Sequence, residues 1–161
     1  MKIEFQSIGL IHSPHKDLVG MPIQPTGAKG LKGHVEIYQE FEKGIKDLDG
    51  FSHIILLYYF HKSQGFNLSV TPFLDNTPRG LFSTRAPRRP NPIGLSIVHL
   101  TDVHKNILYI EDVDILDQTP LIDIKPYVPQ FDHRPGSVAG WLQNCMERSI
   151  HQISDNRFIE P

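Results

Sequence analysis

The feature that most constrains this chain is its period. Apolar residues recur mostly at every second position, in short runs bounded by Gly, Pro, Asn, Asp and Ser clusters, and no crossover helix separates the runs. Residues 3–11 (IEFQSIGLI) and 33–38 (GHVEIY) alternate and predict strands. Residues 95–103 and 107–115 flank His104, Lys105 and Asn106 and predict a hairpin. Residues 121–128 (LIDIKPYV) predict another strand, with Pro126 marking its end or a sheet edge. Residues 53–60 (HIILLYYF) are β-rich without alternation, which predicts a central strand buried on both faces. Helices are expected only at 39–47, where Gly44 weakens the pattern, and at 138–150. Such an order points away from a doubly wound Rossmann-type fold and toward an antiparallel barrel or sandwich.

A hydrophobic fraction of 39% in 161 residues suffices for one core, so a single domain over residues 1–161 is expected, with the tail after His151 loosely held. The lone cysteine, Cys145, excludes an intrachain disulfide and reads as a buried bystander. The N-terminus alternates and contains Glu4, unlike a signal peptide, and no apolar run approaches membrane-spanning length. A cytoplasmic location without membrane contact is the resulting expectation. The nine histidines form no HExxH and have no cysteine partners, so no metal is expected.

One stretch stands apart. Residues 82–96, FSTRAPRRPNPIGLS, cannot form a helix or an interior strand, because Pro87, Pro90 and Pro92 lack amide hydrogens and hold the preceding residues extended. The segment is a stiff turn whose arginines have lost backbone entropy before any ligand arrives. Gly94 offers a point of close backbone approach. No Asp or Glu occurs from Asn76 to Thr101, while Arg79, Arg85, Arg88 and Arg89 do. From Asn106 to Ile124 the sign reverses, with Glu111, Asp112, Asp114, Asp117 and Asp123 and no Lys or Arg. A net charge of -2 therefore conceals a basic block followed by an acidic one. Guanidinium forks suit phosphate and carboxylate. Composition leaves an anion site and a self-paired loop equally open.

The same stretch closely resembles the signature of the TrmO (TsaA-like) family. IGLIHSP at 8–14, MPIQP at 21–25, LDGFSHIILLYYFHK at 48–62 and DILDQTPLIDIKPYVP at 114–129 resemble other parts of that family, in family order. The resemblance implies a small β-barrel of about seven strands. It also implies S-adenosylmethionine as cofactor, a homodimer, and methylation of N6-threonylcarbamoyladenosine at position 37, in the anticodon loop of tRNA. Nothing in the periodicity gives the cofactor, since the Gly-rich strand-to-helix turn of dinucleotide folds is missing.

By resemblance, Gln24, Pro25, Thr26, His61, Lys62, Arg85, Leu95, Asp117, Gln118, Thr119 and Pro120 contact the cofactor, and Arg88, Arg89 and Asn91 contact tRNA, with Arg79 extending that surface. Removing a proton from the carbamoylated nitrogen assists attack. Asp117 and Tyr127 are the catalytic candidates, with Asp114 and Asp123 also available, although Asp123 and Lys125 share a strand face and suit a structural pair. Two departures stand out: Gln118 replaces the glycine of the family's usual Asp-Gly-Thr-Pro, and with a single domain over 161 residues the extra C-terminal domain of longer members is not expected. Two other readings are a non-catalytic barrel that holds RNA or a small anion, and a methyltransferase with a small-molecule acceptor.

Overall fold

The computed structural model describes residues 1–145 and 151–158. Among the described residues eight strands form: β1 (Gly9–His12), β2 (Lys32–Ile37), β3 (His53–Tyr59), β4 (Ser69–Val70), β5 (Arg79–Gly80), β6 (Ile93–His104), β7 (Ile107–Glu111) and β8 (Thr119–Pro126). Six of them close an antiparallel barrel in the order β1-β2-β7-β6-β3-β8, while β4 and β5 form a small ribbon in the connection that carries the arginines. Closure leaves no unpaired sheet edge around the barrel. Inward residues at every second position, among them Ile11, Val35, Ile54, Leu56, Val98, Leu108 and Leu121, fill the interior with essentially no exposure. Each such side chain contributes about 1.5–3 kcal/mol of burial.

Register sorts the connections between two barrel ends. Tyr59 pairs with Ile93, Ile11 with Thr119 and His12 with His34, so the chain leaving β3 and β1 meets the chain entering β6, β8 and β2 at one end, here the loop end. The far end holds His53, the Lys105 turn and Tyr127, whose amide donates to the His53 carbonyl at 3.1 Å.

The mainly β barrel expected from the period is present, with corrections to its parts. The first strand begins only at Gly9, because its partner β2 ends at Ile37, opposite Gly9, and turns into a 3-10 helix. Ile3 and Phe5 are left exposed. β7 stops at Glu111, since Asp112 adopts a positive φ of 68° and its carboxylate accepts the Gly30 amide at 2.7 Å. The third strand is not buried on both faces: Ile54, Leu56 and Tyr58 point inward, and Ile55 and Leu57 lie half-buried outside. The helix expected at 39–47 is a 3-10 helix, Gln39–Ile45. That expected at 138–150 is a 3-10 helix, Gly140–Asn144, and residues 146–150 lie outside the described residues. A four-residue α-helix, α1 (Pro129–Asp132), follows β8.

Residues 151–158 bond to the segments around Gly20 and Pro72. Ser154 donates its amide to Met21 and accepts from Gly20, Pro22 bridges Ile153, and Arg157 donates to the Pro72 carbonyl at 2.6 Å.

Candidate active site

The loop end is stitched from three segments distant in sequence. Leaving β3, Phe60 donates its amide to Pro92 at 2.8 Å, and the Ser63 hydroxyl donates to Pro87 at 3.1 Å. His61 and Lys62 therefore sit against the proline-rich turn. Burial, helped by the Lys62 charge, lowers the His61 pKa, which favours the neutral ring. The Pro25–Gly27 3-10 turn packs on β6. Its preceding residue, Gln24, accepts a hydrogen bond from the exposed Arg85 guanidinium at 3.1 Å. Gln24, Pro25, Thr26, His61, Lys62 and Arg85 thus share one end of the barrel.

Beneath them runs a polar chain, buried at Tyr58 and Ser96 and half-buried at Asp114. The Tyr58 and Ser96 hydroxyls lie 3.0 Å apart, and Ser96 donates to Asp114 Oδ1 at 2.7 Å. Burial pushes the Asp114 carboxyl up to about 6, with the Ser96 hydroxyl and the Arg85 charge acting the other way. Burial and the Asp114 charge together raise the Tyr58 phenol well above its ordinary range. The arrangement depends on Gly94, which lies opposite Tyr58 in the β3–β6 register. A Cβ there would stand 2.1 Å from Tyr58 Cε2, so the close approach foreseen at Gly94 is that of the tyrosine ring.

A second corner forms where β1 leaves the barrel and β8 enters. Asp117 accepts the Ser13 amide at 3.0 Å and the Lys16 ammonium at 2.5 Å, and its own amide donates to His15 at 2.8 Å. Burial alone would raise its carboxyl, but Lys16 and the Ser13 amide outweigh it and hold the pKa below the ordinary value. Gln118 occupies the left-handed region at φ 62°. Such a conformation favours glycine, which accounts for the residue usual at this point of the signature. Here the Gln118 amide instead hydrogen-bonds His12 Nδ1 at 2.9 Å. Thr119 is buried and donates to the Leu116 carbonyl at 2.7 Å, and Pro120 lies opposite Leu10.

Other predicted residues stand elsewhere. Leu95 is on the outer face of β6, 48% exposed, opposite the half-buried Leu57. Arg88 donates to the Gln64 carbonyl at 2.8 Å. Arg89 reaches back to the Thr84 and Ala86 carbonyls at 2.9 and 3.3 Å. Asn91 is exposed, and Arg79 pairs with Asp75 at 2.7 Å. Asp123 and Lys125 form the expected pair at 2.8 Å. Tyr127 lies at the far end and does not join Asp117: the eight residues of β8 separate them by roughly 25 Å. Sequence reasoning missed Tyr58 and Ser96. Their signal was a glycine and a serine on β6 facing an aromatic of β3, which is readable only once the register is known. A groove of about 650 Å³ lies along Val19 and residues Gln152 to Arg157, away from the predicted residues.

Three comparisons place this chain among known proteins. The family described as tRNA-methyltransferase O N-terminal domain matches residues 10–133. The chain is 49% identical over 159 residues to the probable S-adenosyl-L-methionine-binding protein of Pyrococcus abyssi, covering 99% of this chain and 86% of that one. It is 36% identical over 152 residues to the tRNA (adenine(37)-N6)-methyltransferase of Escherichia coli, covering 88% of this chain and 65% of the enzyme. The crystal structure of TrmO from Pseudomonas aeruginosa superposes with a TM-score of 0.74 at 33% identity, covering 88% of this chain and 63% of that one. The chain thus spans less than two thirds of the last two proteins.

Proposed function

We propose that this chain, which belongs to the tRNA-methyltransferase O N-terminal domain family, methylates N6 of adenosine 37 in tRNA from S-adenosylmethionine, with the threonylcarbamoyl-modified base as acceptor. The observation that carries the reading is the meeting of the Gln24 and Arg85 segments above a half-buried carboxylate at one barrel end. The residues present fit the cofactor's chemistry. An exposed guanidinium held by a neutral amide suits an amino-acid carboxylate, and the carbonyls and the Thr26 hydroxyl of the Pro25–Gly27 turn suit a ribose. His61, Lys62 and the Asp117–Pro120 corner form the remaining walls.

S-adenosylmethionine, when bound, supplies an electrophilic methyl carbon whose bond to sulfur breaks as the bond to nitrogen forms. The chain's own part is positioning and proton management. The carbamoyl group draws the lone pair away from N6, so the departing N6 proton needs an acceptor. Asp114 is better suited to that role than Asp117. Its carboxyl titrates near 6 and Ser96 holds it through one oxygen, whereas Asp117 is committed to Lys16 and Ser13. Asp117 then fixes the corner, and Tyr127 has no part in the site of its own protomer. The homodimer uses the outer face of β3 and β6, where Ile55 and Leu57 meet Ile97 and Leu95 in an apolar strip outside the barrel.

The deciding experiment supplies labelled methyl donor to the purified chain with tRNA bearing or lacking the threonylcarbamoyl group. Label entering only the modified tRNA, and reduced donor binding by Arg85→Ala in calorimetry, support the proposal. Transfer that persists without tRNA points to a small acceptor. Binding of both ligands without transfer points to a non-catalytic module.

A further inference from the structure

We infer that Phe82 is a stacking platform for one unpaired nucleobase of the RNA, an inference that rests on the reading of tRNA as acceptor. Phe82 is 75% exposed, yet it stands on a turn tied down on both sides. On one side Leu81 is buried and donates its amide to the Leu68 carbonyl at 2.9 Å. On the other Thr84 is buried, with its amide and hydroxyl both donating to Leu81, while the Ser83 hydroxyl donates to Gly80. The Trp141 indole donates to the Ser83 carbonyl at 2.8 Å. With both neighbours fixed, the Phe82 ring is held outward and cannot collapse onto the core.

A charged neighbour shows what the ring is suited to receive. The Arg89 guanidinium lies 5.8 Å from the Phe82 ring centroid, and the Thr84 and Ala86 carbonyls hold it there. Among the described residues, Arg85 and Arg89 have no carboxylate within ion-pair distance, and their bonds to neutral oxygens leave their charges in place. The stiff arginine segment therefore does more than present cations: it fixes one guanidinium against one aromatic ring. A planar aromatic face beside a guanidinium held by neutral carbonyls is complementary to an unstacked base and its phosphate. A purely apolar protein partner would leave those charges buried without a counter-charge.

The test measures binding of a tRNA anticodon stem-loop to the full chain across a series of salt concentrations, with affinities compared at equal salt. Phe82→Ala is expected to weaken binding about ten- to a hundredfold, the effect of losing one base stack. Phe82→Trp is expected to restore it. The salt dependence of affinity stays unchanged in Phe82→Ala, whereas Arg89→Ala lowers the slope by about one released counterion. Cofactor binding and circular dichroism of Phe82→Ala match the wild type, since the ring is exposed. Wild-type affinity in Phe82→Ala overturns this inference and leaves the proposed function standing. If the wild-type chain itself does not bind the stem-loop, the proposed function fails and this inference falls with it. Unchanged RNA affinity with an altered association state assigns the ring to a second copy of the chain, and so overturns the inference as well.

Discussion

Replacing Asp114 by Asn should stabilise the protein at neutral pH while reducing methyl transfer. Asp114 belongs to a carboxyl whose proton affinity rises on folding, from 3.8 to about 6, chiefly because burial disfavours the charged form. At about 1.4 kcal/mol per tenfold change in proton affinity, ionising it in the folded state costs about 3 kcal/mol. The sign follows from proton counting. Between about pH 4 and pH 6 the folded chain holds this proton more tightly than the unfolded chain does, so stability falls as pH rises through that window. The penalty is complete above it. Asparagine still accepts the Ser96 hydroxyl but never ionises. Urea unfolding of both proteins across pH 4–7.5 isolates the effect, because every other titrating group is common to both. Near pH 4 the two should unfold alike, and by pH 7 the variant should lead by up to about 3 kcal/mol, or roughly 6–12 °C in Tm for a chain of this size. A stability difference independent of pH would refute the reasoning. A lead at neutral pH coupled to slower transfer would mean that the barrel keeps a costly carboxylate for its chemistry.

Further outcomes follow from the same geometry. Gly94→Ala places a methyl group 2.1 Å from Tyr58 and should destabilise by about 2–4 kcal/mol, visible in thermal melts; adding Tyr58→Leu should recover most of the loss. Gln118→Gly relieves a left-handed residue but loses the bond to His12 and adds unfolded-state entropy, so denaturant midpoints should move little. Gln118→Ala keeps the strain without the bond and should cost about 1 kcal/mol more than the glycine variant. Leu95→Glu puts a charge on the apolar outer strip and, if the proposed homodimer uses that strip, should yield monomers in light scattering; an unaltered mass would refute the proposed dimer face.

What the sequence disclosed followed what period and proline can encode. β2, β6 and β7 alternate because each has a packed and a wet face, and the proline-rich turn could be nothing else. β3 misled because Ile55 and Leu57 keep its outer face apolar, so alternation in burial left no alternation in hydropathy. The partners of Arg89 were illegible, since it bonds main-chain carbonyls, which every residue carries. Asp117 and Tyr127 are close in sequence yet lie at opposite ends of the barrel, because an extended strand carries neighbours apart quickly. The left-handed twist at residue 118 was hinted at only by the glycine of the resembled signature.

The barrel closes by pairing β1 with β8, Gly9 opposite Leu121. During synthesis, at about 5–20 residues per second, the first strand therefore waits several seconds or more for its partner to leave the ribosome. Until then β1 lacks one of its two neighbours and the emerging sheet is an open ribbon with a sticky border. Nascent chains of this protein should accordingly engage holding chaperones until the final strand is released, and cooperative folding should begin only afterwards.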